Sequence, residues 1–316
     1  MLNILFYKKE ENLLNFLIAG GTGLIGQALI SKLVADNHTI YCLTRDTTNK
    51  KDTSSIHYIS WLNNKLPTYE FPKIDIVINL AGYPLNSGRW TKKRKQKIMS
   101  SRLQATTALL SIIDHLPIKP ALLLNASAVG IYGTSESTSY DEHSPIADDF
   151  LANTVCKWEA CAGKATTHSI RTVYCRFGII LSNKGGALPK LILPYRIFLG
   201  GRIGNGNQWV SWIHIEDVVE ALLFIMNHPT IEGPVNFTAP HPVRMKELSR
   251  HISNHLRRPS WLSIPEPALK MALGEMSILL TKGQHVTPKI LLEHGYSFHY
   301  SEIEKTMETL CQRKSI

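Results

Sequence analysis

The residues with the clearest chemical promise are glycines. Gly20, Gly23 and Gly26, in the run Gly20-Gly21-Thr22-Gly23-Leu24-Ile25-Gly26, keep the spacing GxxGxxG. An apolar strand-like run, NFLIA from Asn15 to Ala19, precedes them, and a helical pattern with Ile25, Leu29, Ile30 and Leu33 follows. The first glycine permits a tight turn, the middle one lets the backbone close on a pyrophosphate, and the last lets the helix pack on the strand. The open N–H groups at the start of that helix, with the positive end of its dipole, favour phosphate near Thr22 to Gly26. Without a ligand the same run would be a plain strand-to-helix turn; its apolar and amphipathic flanks favour a dinucleotide. A P-loop is excluded, because Gln27 stands where GxxxxGK needs lysine.

The second strand-like run, TIYCL from Thr39 to Leu43, ends in Thr44-Arg45-Asp46. An NAD site places an acid there for the ribose hydroxyls. Arg45 instead suits a 2′-phosphate in a forked, charge-assisted pair, with Thr44 adding a hydroxyl. Asp46 comes one position late and still allows NAD. NADP(H) is expected to bind more tightly than NAD(H).

These residues need elements to hold them. Short apolar runs alternate with helical patterns, which predicts an α/β chain with a parallel sheet flanked by helices. Further strands are expected at Ile56 to Ile59, Asp75 to Leu80, Ala121 to Asn125, Thr172 to Arg176 and Val235 to Thr238. Helices are expected from about Thr91 to His115, through Ala160 after a polar loop from Ser135 to Asp149, and at Asp217 to Met226 and Met245 to Leu256. After Gly178 the chain turns rich in Gly and Pro with no clean period, which suits a ligand-covering subdomain rather than another sheet unit.

The chain has 316 residues, 44% of them hydrophobic and 19% charged, an ordinary globular balance that excludes disorder, collagen and coiled coil. A formal net charge of +10 favours anionic ligands without choosing among phosphate, nucleic acid and membrane. Five cysteines, Cys42, Cys156, Cys161, Cys175 and Cys311, form no CxxC and no zinc spacing, so no metal is expected and a reducing compartment is. No apolar run reaches the roughly 18 residues of a membrane helix. The first stretch is broken by Lys8, Lys9, Glu10 and Glu11 and does not resemble a signal peptide, so a cytoplasmic protein is expected. The basic run Thr91 to Lys97 has no interleaved aromatics and reads as a solvated face rather than a nucleic-acid surface.

The glycine turn, DIVINLAG (Asp75 to Gly82) and LNASAVGIYG (Leu124 to Gly133) resemble the extended short-chain dehydrogenase/reductases. INLAGYPLNSGRW, SRLQATTALL, DDFLANTVCKWEA, GGALPKLILPYRIFLGGRIGNGNQWVSWIHIEDVV, GPVNFTAPHPV and GQHVTPKILLEHGY narrow the resemblance to the YfcH-like epimerase family. That is an atypical branch with its own C-terminal domain of unknown function, and the resemblance runs from about Phe16 to the C-terminus. It implies a Rossmann-type, doubly wound NADP-binding domain over residues 16–180, with 213–240 returning to it. Residues 181–316 would form a smaller, mostly C-terminal substrate subdomain, with the family-specific domain from about 245, and residues 1–15 an extension. It further implies cofactor contacts from Leu80, Ala81, Gly82, Arg102, Lys157 and Ile180. Taken alone, Leu80, Ala81 and Ile180 also read as core, and Arg102 and Lys157 as solvated helix positions. A homodimer is expected by analogy.

Ordinary members use Ser, Tyr and Lys, with YxxxK on one helix face; the tyrosine moves the proton and the lysine lowers its pKa. Here the matching segment is Asn153-Thr154-Val155-Cys156-Lys157, with asparagine in the tyrosine's place. The only YxxxK, Tyr69 to Lys73, contains Pro72 and precedes the DIVINL run, so it is not that helix. Ser127 best matches the active-site serine, with a strand-end serine bonded to backbone as the alternative. Substitutes for the missing acid are Cys156, Tyr83, Tyr132 and His214; Cys156 reads first as a packed thiol. Related sugar-nucleotide epimerases carry an Arg-Asp pair where Ser211-Trp212 stands here, which argues against a nucleotide-sugar substrate. Tyr83, Arg89, Trp90, Trp209, Trp212 and His214 are the residues expected around a small-molecule pocket, and in a Gly-rich loop they equally suit subdomain packing. Asp217 is expected to start a helix. Two readings stand above nucleic-acid binding: an NADP-dependent epimerase or oxidoreductase on an unknown small molecule, and a non-catalytic NADP(H)-binding sensor.

Overall fold

The computed structural model describes residues 13–62 and 67–311. The expected N-terminal extension lies outside the described residues as far as residue 12. The first half contains β1 (Asn15–Ala19), α1 (Leu24–Ala35), β2 (Thr39–Thr44), β3 (Ile56–Ser60), β4 (Ile76–Asn79), α2 (Lys92–His115) and β5 (Leu122–Ala128). Next come β6 (Ser139–Tyr140), α3 (Phe150–Ala162), β7 (Arg171–Phe177), β8 (Ile179–Leu181) and α4 (Leu188–Arg196). They are followed by β9 (Gly201–Ile203), β10 (Trp209–Val210), β11 (Trp212–His214), α5 (Ile215–Asn227), β12 (Gly233–Phe237), β13 (Val243–Arg244) and α6 (Met245–Leu256). The chain closes with β14 (Leu262–Ile264), α7 (Glu266–Leu273), α8 (Ile278–Thr281), β15 (His285–Val286), α9 (Lys289–Glu293) and α10 (Ile303–Cys311).

Seven strands form one parallel sheet in the order β12-β7-β5-β4-β1-β2-β3. A parallel sheet is covered on both faces, so its strands are apolar throughout rather than alternating. Successive residues of β1 show this, since Phe16, Leu17, Ile18 and Ala19 are all fully buried. Phe16 and Ile18 join Leu29 and Leu33 of α1 and Val218 and Leu222 of α5 in one cluster, while Leu17 and Ala19 join Leu109 and Ile113 of α2 in the other. Three layers result, with a doubly wound Rossmann-type sheet in the middle.

The chain winds outward from β1 through β2 to β3, then crosses back to lay β4 on the other side of β1. The crevice above the carboxyl ends of β1 and β4 is therefore a topological switch point, where open α/β sheets bind ligands. The Gly- and Pro-rich segment after Gly178 does contain short strands, but they stay out of the central sheet. β8 pairs with β11, β9 with β14 and β10 with β13. β12 then returns to the central sheet beside β7. Among the described residues no helix is long and apolar enough to cross a membrane.

His38 links α1 to β2. Its Nδ1 accepts the Leu14 N–H at 3.2 Å, and its ring lies 5.3 Å from that of Phe16. Burial lowers its pKa, opposed by Asp36. The unfolded imidazole protonates near 6.5. Below that pH the unfolded chain binds more protons than the folded one, so stability falls as pH drops from 7 toward 5. Burial lowers His214, His251 and His285 as well, with the same sign. Urea unfolding at pH 7.5 and 5.5 should show this loss, and His38→Asn, whose Oδ1 can still accept, should show less of it. A stability independent of pH over this range would contradict it.

Candidate functional site

The glycine turn sits at the switch point, and two of its glycines are fixed by contact. Gly20 has φ +81°, and a Cβ there would lie 2.6 Å from the Leu80 carbonyl carbon and 2.8 Å from the Ala81 nitrogen. The turn thus presses directly on the Leu80–Ala81 backbone leaving β4. At Gly26 a Cβ would come within 2.5 Å of the Gly20 oxygen, so this glycine seats α1 on the turn. A Cβ on Gly23 would meet only the Gly20 oxygen, at 3.3 Å, and otherwise point into open space. α1 begins at Gly23 with no side-chain cap and no acid in its first turn. By contrast α2, α3 and α5 are capped by Thr91, Asp149 and His214. The first-turn N–H groups of Leu24, Ile25 and Gly26 have no intrahelical acceptor and face the crevice with the positive end of the helix.

The walls come from three segments. Arg45 lies exposed beyond β2. The neighbouring Asp46 carboxylate has its pKa lowered by the Thr48 hydroxyl and by the Thr48 N–H, which it accepts at 2.9 Å, and the Thr44 hydroxyl donates to the Asp46 carbonyl at 3.1 Å. The acid is thereby occupied in its own turn, while the guanidinium is free to meet an anion. On the β4 side, Arg102 of α2 lies against Gly82, where a Cβ would sit 3.4 Å from its Cζ. Arg102 donates to the Tyr83 and Ile98 carbonyls and stacks 5.1 Å from the Trp158 ring. It is therefore no solvated helix face; burial pulls its pKa down to about 10. The third wall follows Ile180, half-buried in β8, where the Gly185–Gly186 turn packs on the Leu24 side chain.

On α3, Asn153 and Lys157 share an exposed face. Asn153 Nδ2 donates to Asp148 Oδ1 at 3.1 Å and to the Asp149 carbonyl at 3.0 Å. Cys156, expected as a packed thiol, is exposed instead. Ser127, at the end of β5, is 3% exposed and donates its hydroxyl to Glu159 Oε1 at 2.5 Å, so its partner is a side chain rather than backbone. Glu159 also takes Arg176 Nε at 2.8 Å and Nη2 at 2.9 Å, and Arg176 is the cross-strand neighbour of Ser127. Arg176 Nη1 continues to the Tyr132 hydroxyl at 2.8 Å, which donates to Asn236 Oδ1 at 2.8 Å. Burial alone would lower the Arg176 pKa, but the Glu159 carboxylate raises it on balance. Burial pushes Tyr132 up to about 12, so it is a poor acid near neutral pH. A hydroxyl has one proton to donate. With it given to Glu159, Ser127 offers only lone pairs to a ligand.

The residues expected around a substrate pocket do not converge. Trp212 is fully buried, its indole N–H donating to the His241 carbonyl at 3.1 Å, and belongs to the core under α4 and α6. His214 is buried too. Its Nδ1 caps α5 by accepting the Glu216 N–H at 3.2 Å, and its ring lies 3.8 Å from that of Tyr300. Asp217, expected to open that helix, sits in its first turn instead. Trp90 packs edge-on to Phe150 and donates to the Leu85 carbonyl. Trp209 packs against His285 under the Arg244 guanidinium, and Arg89 bonds to the Met271 carbonyl. Tyr83 stays half-exposed beside the switch point, while Trp209 is half-buried and Arg89 exposed. The basic run is not simply solvated either: Arg94 holds Ser87, Lys95 pairs with Glu275, and Lys97 sits 4.5 Å over the Tyr83 ring.

The buried Ser127–Glu159–Arg176–Tyr132 chain escaped the sequence reading. Its signal was an arginine inside the apolar run TVYCRF, since a charge in a buried strand demands a partner.

Comparison with known proteins agrees with this architecture. Residues 16–237 match the NAD dependent epimerase/dehydratase family, and residues 264–310 match DUF1731, a domain of unknown function. The chain is 43% identical over 306 residues to the epimerase family protein YfhF of Bacillus subtilis, covering 96% of this chain and all of that one. It is 36% identical to a chloroplastic SDR39U1 homolog of Arabidopsis thaliana, covering 98% of this chain and 90% of that one. Its fold is similar to that of human epimerase family protein SDR39U1, crystallised with NADPH, with a TM-score of 0.84, 30% identity and coverage of 94% and 99%. Together with the glycine turn at the switch point, these matches show that the chain belongs to the NAD dependent epimerase/dehydratase family and carries a DUF1731 region at its C-terminal end.

Proposed function

We propose that the chain binds NADP(H) across the β1/β4 crevice and uses it to oxidise or reduce a small molecule at a C–OH/C=O centre. The observation that carries this is the uncapped start of α1 over Gly20–Gly26, with Arg45 free and Asp46 occupied at the end of β2. Leu24 to Gly26 would hold the pyrophosphate, Arg45 the 2′-phosphate and Lys157 the nicotinamide ribose. Leu80 to Gly82, Arg102 and Ile180 would line the remaining length. The human relative crystallised with NADPH supports the same choice of cofactor. Residues 16–180 with 213–240 would hold the cofactor, and the rest of 181–316 would face the substrate. A cytoplasmic homodimer completes this reading, with neither nucleic acid nor bilayer as partner.

Calorimetry with NADPH and NADH tests it. Each hydrogen bond to a charged group contributes about 1.5–3 kcal/mol. Arg45→Ala is thus expected to weaken NADPH by about 10- to 100-fold while NADH changes by less than about threefold. Equal affinities of the wild type for the two cofactors would sink the proposal.

A specific observation favours the second reading, of a binding-only protein. The hydroxyl of Ser127 is given to Glu159 and Asn153 replaces the tyrosine, so neither of the two usual donors is on hand. Following nicotinamide absorbance across hydroxy and keto compounds, with Ser127→Ala as control, separates the two. Tight NADPH binding without turnover selects the sensor.

A further inference from the structure

Reduction of a carbonyl needs a proton for the oxygen as well as a hydride for the carbon, and α3 carries asparagine where ordinary short-chain dehydrogenase/reductases carry tyrosine. We propose that Tyr83 supplies that proton, standing in from the loop after β4 for the tyrosine missing from α3. The inference rests on the NADP(H)-dependent reading above.

Three features place Tyr83 for this role. It directly follows Leu80–Gly82 at the carboxyl end of β4, beside the switch point. Its ring packs on the small apolar cluster of Trp90, Ile98 and Met276, which Phe150 and Leu151, the first two residues of α3, also join. Its backbone is held at both ends: the N–H donates to Ser101 Oγ at 3.1 Å, and the carbonyl accepts from Arg102 Nη1 at 3.0 Å.

The phenol also has cationic company. Arg94 Nη1 lies 3.4 Å from its oxygen, and the Lys97 ammonium lies 4.5 Å from its ring centroid. The Ser87 hydroxyl lowers its pKa most; burial opposes it, and Arg94 and Lys97 add to the lowering. Carboxylates on the surrounding segments have partners of their own: Glu275 pairs with Lys95, Asp149 caps α3, Asp148 receives Asn153 and Glu266 pairs with Lys282. Lysine plays the same part toward tyrosine in ordinary members of the superfamily. Here two cations from α2 supply it to a tyrosine on a different element.

The step balances. Bound NADPH would supply the hydride, with its two electrons, that forms the new C–H bond. The carbonyl π pair moves onto oxygen, which takes the phenol proton. The tyrosine O–H pair stays on the phenolate, held by Arg94 and Lys97 until water returns a proton. In the oxidative direction the phenolate removes the hydroxyl proton.

Ultraviolet titration of the full chain reads the phenol directly, without turnover. One tyrosine should ionise below the usual value of about 10. That titration should vanish in Tyr83→Phe and move upward in the double variant Arg94→Met/Lys97→Met. With phenanthrenequinone as carbonyl probe, Tyr83→Phe should lose roughly 10²–10⁴-fold in kcat. Its NADPH affinity by calorimetry should stay within about twofold. The absence of a low-titrating tyrosine overturns the inference. So does a Tyr83→Phe enzyme as fast as the wild type, or a wild type that binds NADPH and reduces no carbonyl probe. A wild type that fails to bind NADPH instead sinks the cofactor reading, a separate outcome of the same calorimetry.

Discussion

Glu159→Ala is expected to lower the unfolding free energy by about 3–5 kcal/mol, the cost of removing one partner of a buried ion pair. Glu159 is nine-tenths buried and accepts from Ser127 and twice from Arg176. Truncation strands a guanidinium between β7 and α3 and leaves the Ser127 hydroxyl without its acceptor. Arg176 cannot escape by losing its proton, because an arginine stays charged under any condition the fold survives. Replacing both partners, as in Glu159→Ala/Arg176→Met, removes the stranded charge and should recover much of the loss. Urea melts of the wild type and the two variants provide the comparison, with unchanged slopes as the sign that only stability moved. A single variant within about 1 kcal/mol of the wild type would mean that water already serves Arg176.

This pair also marks where sequence reading stops. The glycine spacing was legible because it reports a backbone requirement. Gly20 must lie against Leu80–Ala81 and Gly26 against Gly20–Gly21, and any sequence that builds this turn has to show it locally. The position of Arg45 and Asp46 just past the end of β2 was legible for the same reason, each lying within a few residues of the element that places it. Glu159 meets Arg176 across 17 residues and two elements, so spacing along the chain has no access to the contact. The aromatic residues near the Gly-rich segment stayed open between pocket and core for a different cause. A tryptophan lining a cleft and one filling a core leave the same trace in composition. Trp212 fills a core, and its indole N–H finds a carbonyl there. His214 resembled a site residue in the pattern WIHIED, yet a helix cap explains it fully. Tyr83 was one of four candidate acids in the sequence. What sets it apart is the approach of Arg94 and Lys97 from the start of α2, which exists only in the fold.

Asp217→Ala is expected to cost about 2–6 kcal/mol, because it leaves two N–H donors without an acceptor at about 1–3 kcal/mol each, while the Tyr296 hydroxyl keeps the Asp217 carbonyl at 3.1 Å. Asp217 is fully buried in the first turn of α5. Its carboxylate accepts the His299 N–H at 2.8 Å, the Tyr300 N–H at 2.9 Å and the Tyr296 hydroxyl at 3.2 Å. Burial, reinforced by Asp217, holds Tyr296 well above its usual pKa, so the phenol keeps its proton and remains a donor. These bonds cross from the region matching the epimerase family to the region matching DUF1731, and one carboxylate thus staples the C-terminal segment to a helix that covers the central sheet. Asn at this position keeps one acceptor oxygen and should fall between alanine and the wild type. The crevice owes nothing to these bonds, since β1, β4 and α1 build it. The variant's folded fraction should therefore bind NADPH within about threefold of the wild type while melting earlier. A loss of cofactor affinity beyond the loss of folded protein would show that the C-terminal segment shapes the cofactor site itself. A change in stability below about 1 kcal/mol would show that apolar packing of Tyr296 and Leu291 suffices to hold it.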